Sequence, residues 1–218
     1  MQLLLDSAII EEATKAAEWG WVSGVTTNPT LLGQSSLSPA RTLEKLGKIF
    51  SGPVFYQLIG STVRDMKKEA RMADAILGKQ LVLKIPAVGI GFQAAAQLSR
   101  KYLVAVTSIF TPAQAMAANA AGARYALYYH NRAKRLLPKS ADLAKKLVAA
   151  LERTDTRVVA ASLKSPDEMV EARLTGVRIL SAKFSVLKEM VEHEHSMAAL
   201  QEFKEKGTGL LEGGGKEK

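Results

Sequence analysis

Residues 81–86 read Leu81-Val82-Leu83-Lys84-Ile85-Pro86, an apolar, β-branched run with one lysine inside it. Such a run reads as a buried strand. An ammonium within it is costly to desolvate unless it is paired or used. Desolvation lowers a lysine pKa from about 10.4 toward neutrality, which frees an amine able to form a Schiff base with a ketone. The other reading is a strand-end lysine whose head snorkels to water or pairs with a core carboxylate. The neighbouring strands decide between the two.

Outward from this strand, strand-like and helix-like segments alternate regularly. The pattern predicts strands over 2–6, 23–27, 53–59, 81–85, 102–109, 124–129, 157–163 and 177–180. Helices are predicted over 9–19, 39–50, 62–77, 92–100, 111–121, 140–153, 167–175 and 186–192, with a final one over 196–206. Ser38 before Pro39 is a natural helix start, Gly122 a natural stop, and Asn28-Pro29 closes the second strand. Eight strand–helix units spaced by about 25 residues predict an α/β fold, a single (β/α)8 TIM barrel with an additional C-terminal helix. Residues 1–206 are expected to form one domain and 207–218, rich in glycine and charge, a flexible tail. An open doubly wound sheet shares the alternation, but no G-x-G-x-x-G follows the first strand.

Composition narrows the function. The chain has 218 residues, 47% of them hydrophobic and 23% charged, which describes a globular protein with ample core. It has no cysteine, so disulfides and thiolate metal sites are excluded and a reducing cytoplasm is a compatible location. No apolar run approaches the roughly 20 residues of a membrane span, and the opening Met-Gln-Leu-Leu-Leu-Asp does not read as a signal peptide. The net charge of +9 is spread through most predicted helices, and aromatic residues make up only 6%. Neither is the footprint of a nucleic-acid binder. A positive field equally serves an enzyme for anionic small molecules.

In a barrel, chemistry collects at the carboxyl ends of the strands. There the sequence places Asp6, then Thr26 and Asn28, Gln57, Lys84, Thr107 and Ser108, Tyr129 with Asn131 and Arg132, and finally Ser162 and Lys164. Any one of these would pass for a turn former. Seven consecutive strands each presenting such a group point to a pocket. Period-two alternation puts Lys84 on one face with Val82, Gln57 with Phe55, and Tyr129 with Leu127.

The strings Leu5-Asp6, G-V-T-T-N-P at 24–29, V-L-K-I-P at 82–86, A-Q-A-M-A-A-N-A-A-G-A at 113–123 and A-A-S-L-K at 160–164 resemble the transaldolase family over almost the whole chain. The resemblance is to its short branch, which includes fructose-6-phosphate aldolase and small transaldolases. It implies a class I mechanism with neither metal nor cofactor, acting on dihydroxyacetone and sugar phosphates. Lys84 would be the Schiff-base lysine and Asp6 the proton carrier. Asn28 would hold a ketose hydroxyl, Thr107 would orient a water, and Ser162 would contact the dihydroxyacetone part or the phosphate. Arg132 and Lys164 would hold the phosphate of the aldehyde portion. Gln57 and Tyr129 resemble the aldolases, whereas transaldolases usually carry glutamate and phenylalanine there. Cleavage or formation of fructose 6-phosphate is therefore expected. Transfer of dihydroxyacetone between sugar phosphates, and a non-catalytic sugar-phosphate-binding barrel, are the alternatives.

The chain also departs from the family pattern. Ala133-Lys134-Arg135 replaces acidic residues and glycines, and this basic loop is expected to alter which aldehyde is accepted. His130 reads as a solvated loop residue. Strand eight ends Ser181-Ala182-Lys183 where a small apolar and proline pattern is expected. Family members of this length form pentamers or decamers, which implies a homo-oligomer. Met197, Leu200 and Phe203 make one apolar stripe on the last helix, to be covered by a neighbouring subunit or by the chain's own barrel.

Overall fold

The computed structural model describes residues 1–137 and 142–210. Eight parallel strands follow one another around a closed barrel. They are β1 (Gln2–Asp6), β2 (Val25–Thr26), β3 (Val54–Gln57), β4 (Leu81–Pro86), β5 (Leu103–Ile109), β6 (Tyr125–Tyr129), β7 (Arg157–Leu163) and β8 (Ile179–Ala182). Closure is made by β1 and β8, with Gln2 opposite Ile179 and Leu5 opposite Ala182. The open doubly wound alternative is thereby excluded. The fold is a (β/α)8 barrel with surrounding helices.

Local chemistry starts the helices where the sequence says it should. Ser38, Thr62, Thr111 and Ser165 each accept a backbone N–H three residues on, opening α3 (Pro39–Ile49), α4 (Val63–Leu77), α6 (Pro112–Ala120) and α9 (Pro166–Leu174). Proline occupies the first turn in three of these four, where no backbone hydrogen bond is lost. The remaining outer helices include α1 (Ile10–Glu18), α5 (Gly89–Leu98) and α8 (Leu143–Ala150). Two apolar layers result. One lies between the helices and the sheet. The other fills the barrel itself with Leu4, Phe55, Val82, Ala105, Leu127, Val159, Ala161 and Ile179.

Several boundaries differ from expectation for identifiable reasons. β2 is two residues long because Asn28, accepting from Leu31 N, opens the four-residue helix α2 (Pro29–Leu32). β8 begins two residues late, at the position that pairs with Gln2. A helix, α7 (His130–Leu136), leaves β6 directly where a loop is expected. α10 (Phe184–Glu189) starts early, and α5 begins three residues before its expected start. Residues 140–141 of the expected sixth-unit helix and 211–218 of the expected tail lie outside the described residues.

The last helix, α11 (Glu194–Lys206), buries none of its residues. Met197 is 63% exposed, Leu200 47% and Phe203 71%. Its stripe does not pack on the chain's own barrel, which overturns that alternative. Among the described residues no helix is long and apolar enough to cross a membrane.

Gly91, in the first turn of α5, lies against the Pro86 carbonyl two residues beyond Lys84, and a Cβ would overlap that oxygen. Gly91→Ala is expected to cost about 2 kcal/mol through overpacking. That corresponds to a fall in Tm of about 6 °C by calorimetry.

Candidate active site

Lys84 sits late in β4, between Gln57 on β3 and Ala105 on β5 in the strand register. Ala105 is small enough to leave the lysine stem its space. The side chain is buried, at 2% exposure, and its Nζ donates to the Thr27 carbonyl at 2.7 Å. It reaches the floor of a cavity of about 430 Å³ at the carboxyl ends of the strands. Asp6, Asn28, Gln57, Lys84, Ser108, Tyr129, Arg132, Ser162 and Lys164 all line that cavity, so the structure brings together nine of the twelve residues the sequence places at the strand ends.

Thr26 and Thr107 lie beneath it, fully buried, and touch lining residues. Thr26 donates to Asp6 Oδ1 at 2.7 Å and lies 2.6 Å from Ser181 Oγ. Because Thr26 has one proton and gives it to the carboxylate, Ser181 is the donor to Thr26. The chain Ser181→Thr26→Asp6 runs across β8, β2 and β1 and fixes the carboxylate. Thr107 donates to the Tyr129 hydroxyl at 3.2 Å, and the Arg132 guanidinium lies 4.5 Å from the centre of the Tyr129 ring. A hydroxyl below and a cation above thus hold the phenol.

Asn28 has a double use. Its Oδ1 caps α2 at 3.0 Å, which leaves the amide nitrogen for a ligand. Gln57 Oε1 is buried and has no hydrogen-bond partner among the described residues. An orphaned acceptor of this kind is costly until it receives a donor.

Ser108 and Ser162 share a feature that strand periodicity does not reveal. Both have positive φ, 62° and 60°, and both sit where the register of their strand shifts. Each is the extra residue of a bulge that turns a serine into the cavity. A non-glycine residue held this way stores about 1 kcal/mol or more, a strain typical of functional sites. Ser108 lines the cavity as its place at the strand end implies, whereas Lys183, Pro29 to Leu31 and Gln34 line it but escape the sequence-based set. The α2 residues could be found only by noticing that Asn28-Pro29 also starts a helix.

The segment after β6 corrects two expectations, those for His130 and Asn131. His130 is not a solvated loop residue: it is 9% exposed, with Nδ1 3.2 Å from the Tyr128 hydroxyl and Nε2 3.3 Å from Glu171. Burial pushes the Tyr128 phenol well above its usual range, so it stays neutral beside the ring. Lys134 pairs with Glu171 at 2.8 Å, and together with His130 holds that carboxyl below the usual range. Neither Lys134 nor Arg135 lines the cavity, so the basic stretch does not shape its walls. Asn131 also faces elsewhere, donating to Glu168 Oε1 at 2.8 Å. The second oxygen of Glu168 accepts from Lys164 N at 2.8 Å. One carboxylate thus ties the backbone carrying Arg132 to the one carrying Lys164.

A primary amine, a carboxylate, a phenol and cations around one cleft are equipped for imine formation, proton transfer and anion binding. Among the described residues no group of three or more His, Cys, Asp or Glu could hold a metal ion. The fold and this cleft define a β/α-barrel protein centred on a buried lysine. A sequence profile described as Transaldolase/Fructose-6-phosphate aldolase matches residues 3–212, and the chain belongs to that family. A probable transaldolase of Kosmotoga olearia is 32% identical over 219 residues, 96% of this chain and 100% of the relative. Those of Petrotoga mobilis and Aquifex aeolicus are each 31% identical over 206 residues, covering 93% of this chain and 93% or 94% of theirs. The crystal structure of a putative lactate oxidase from Pediococcus acidilactici aligns at TM-score 0.62 and 16% identity, over 92% of this chain and 70% of that one. That likeness is one of fold alone.

Glu168→Gln puts an amide NH2 opposite one of the two donors the carboxylate now serves. It is expected to lower stability by about 1.5 kcal/mol, read as a shift of the urea midpoint at unchanged m-value.

Proposed function

We propose that this protein is a class I aldolase that cleaves fructose 6-phosphate, or forms it from dihydroxyacetone and glyceraldehyde 3-phosphate or a related aldehyde. The observation that carries the reading is the Tyr129 hydroxyl, held by Thr107 in the cavity that also contains Lys84 and Asp6.

Lys84 Nζ adds to the ketone carbon C2, and loss of water gives an iminium. Asp6 takes the proton of the C4 hydroxyl as the C3–C4 bond breaks, and the electron pair passes into the iminium to give an enamine. The aldehyde leaves with its phosphate against Arg132 and Lys164, where guanidinium binds in a planar fork and ammonium as a point charge. A proton returns to C3, relayed through Tyr129, and a water oriented by Thr107 hydrolyses the imine to release dihydroxyacetone and the amine. Asn28 and Ser162 hold hydroxyls of the dihydroxyacetone part. Gln57 Oε1 accepts from the bound substrate, which relieves its unpartnered state. None of these steps requires a metal or cofactor, and the cell's cytoplasm supplies the sugar phosphates.

Transfer of the dihydroxyacetone unit to an acceptor sugar phosphate is the second reading. It is favoured by the names of the relatives, which are probable transaldolases. The two differ in the fate of the enamine, protonated in one and kept for an acceptor aldehyde in the other. The exposed stripe of α11 fits a subunit contact, in a pentamer or decamer.

Incubation with fructose 6-phosphate and no acceptor should release free dihydroxyacetone; a release that appears only when acceptor is added would assign the transferase reaction instead. Borohydride should trap dihydroxyacetone on the peptide containing Lys84, and Lys84→Met should abolish the adduct. Truncation before Glu194 should reduce the mass measured by light scattering, whereas an unchanged mass per chain would remove α11 from the assembly.

A further inference from the structure

Among the described residues, Lys183 is the charged residue of the cavity that the mechanism above does not use. It follows β8 directly and lines the cleft with Arg132 and Lys164. β6, β7 and β8 are neighbours in the barrel, so the three cations form a continuous arc along one side of the mouth. We propose that Lys183 is a third phosphate-binding cation, and that it ties this pocket to substrates carrying a phosphate dianion. The inference rests on reading this mouth as the place where the anionic end of a sugar phosphate lies.

The fold supplies no reason for a lysine here. Lys183 is the N-cap residue of α10, a position served by serine, threonine, aspartate or asparagine and one at which a lysine side chain has no acceptor to offer. The charge balance then gives the lysine a use. Among the described residues, none of Arg132, Lys164 and Lys183 makes an ion pair. Three carboxylates around these strand ends are already engaged: Asp6 by Thr26, Glu168 by Asn131 and the Lys164 backbone, Glu171 by Lys134 and His130. Among the described residues, Asp6 is the one carboxylate lining the cleft, against the three cations Arg132, Lys164 and Lys183. Such a focused positive field favours a doubly charged anion over a neutral aldehyde of the same length. A phosphate monoester carries about −1.5 to −2 charges near pH 7 and three acceptor oxygens, enough for three cations at once.

The test compares the wild type with Lys183→Met and Lys183→Arg. The probes are inorganic phosphate, by calorimetric titration, and two acceptors for dihydroxyacetone, glyceraldehyde 3-phosphate and glyceraldehyde. Lys183→Met should weaken phosphate binding about tenfold, the scale of a charge-assisted hydrogen bond. It should raise KM for glyceraldehyde 3-phosphate by a similar factor at nearly constant kcat, about tenfold more than any change for glyceraldehyde. Lys183→Arg should restore most of the phosphate affinity. Equal phosphate affinity in Lys183→Met and wild type, or the same fold-change for both aldehydes, would overturn the proposal. Borohydride trapping with dihydroxyacetone, which carries no phosphate, judges the Schiff-base reading separately. A wild type without adduct sinks that reading, while the phosphate titration still decides Lys183.

Discussion

A lysine nitrogen inside a closed barrel has to find a polar neighbour within reach of a fixed stem, and here that neighbour is the Thr27 carbonyl. This contact governs much else. It requires β2 to end where it does, so that Thr27 turns a carbonyl inward while Asn28 already caps the next helix. It also requires room. Ala105 beside Lys84 and Ala161 beside Tyr129 are small residues paired with large ones, the alternation that lets a narrow barrel hold long side chains. Below that level Leu4, Val82, Leu127 and Val159 fill the interior, with Tyr125 packed against them. Most of the polar groups gather at the upper end, where the cleft opens.

The rim divides its labour by strand. β1, β2 and β8 supply a hydroxyl relay that ends on Asp6, and β5 and β6 supply Thr107 and Tyr129. The cations come from the arc β6 to β8. Glu168 accepts from the Asn131 side chain and from Lys164 N, which links the segments that carry Arg132 and Lys164. The two serine bulges add polar atoms at points where regular strands would have turned the same side chains outward.

Much of this was legible in the residues. The period-two runs and the Ser/Thr-Pro helix starts are local signals, and they carried the barrel because each unit repeats the same local physics. Alternation also put Lys84, Gln57 and Tyr129 on one face. What stayed hidden depends on partners far apart in sequence. β8 could not be placed without knowing that Ile179 pairs with Gln2. His130 looked solvated because Glu171, 41 residues away, is visible only once α9 packs beside α7. The bulges at Ser108 and Ser162 leave no trace in a pattern read two residues at a time. Lys183 stood out as a departure, yet its place in the cleft follows only from where β8 ends.

The seam between β1 and β8 has a consequence for how the chain is made. Gln2 to Leu5 pair with residues 179–182, so β1, made before the other seven barrel strands, keeps one unpaired edge until almost the whole barrel has been synthesised. Contacts of such long sequence separation form late and slowly. Throughout that interval Leu3, Leu4 and Leu5 present an open apolar edge, the kind of template on which nascent chains associate. The relay to Asp6 crosses the same seam through Ser181. Closing the barrel and completing the site are therefore one event, and a partly folded chain has no working version of either.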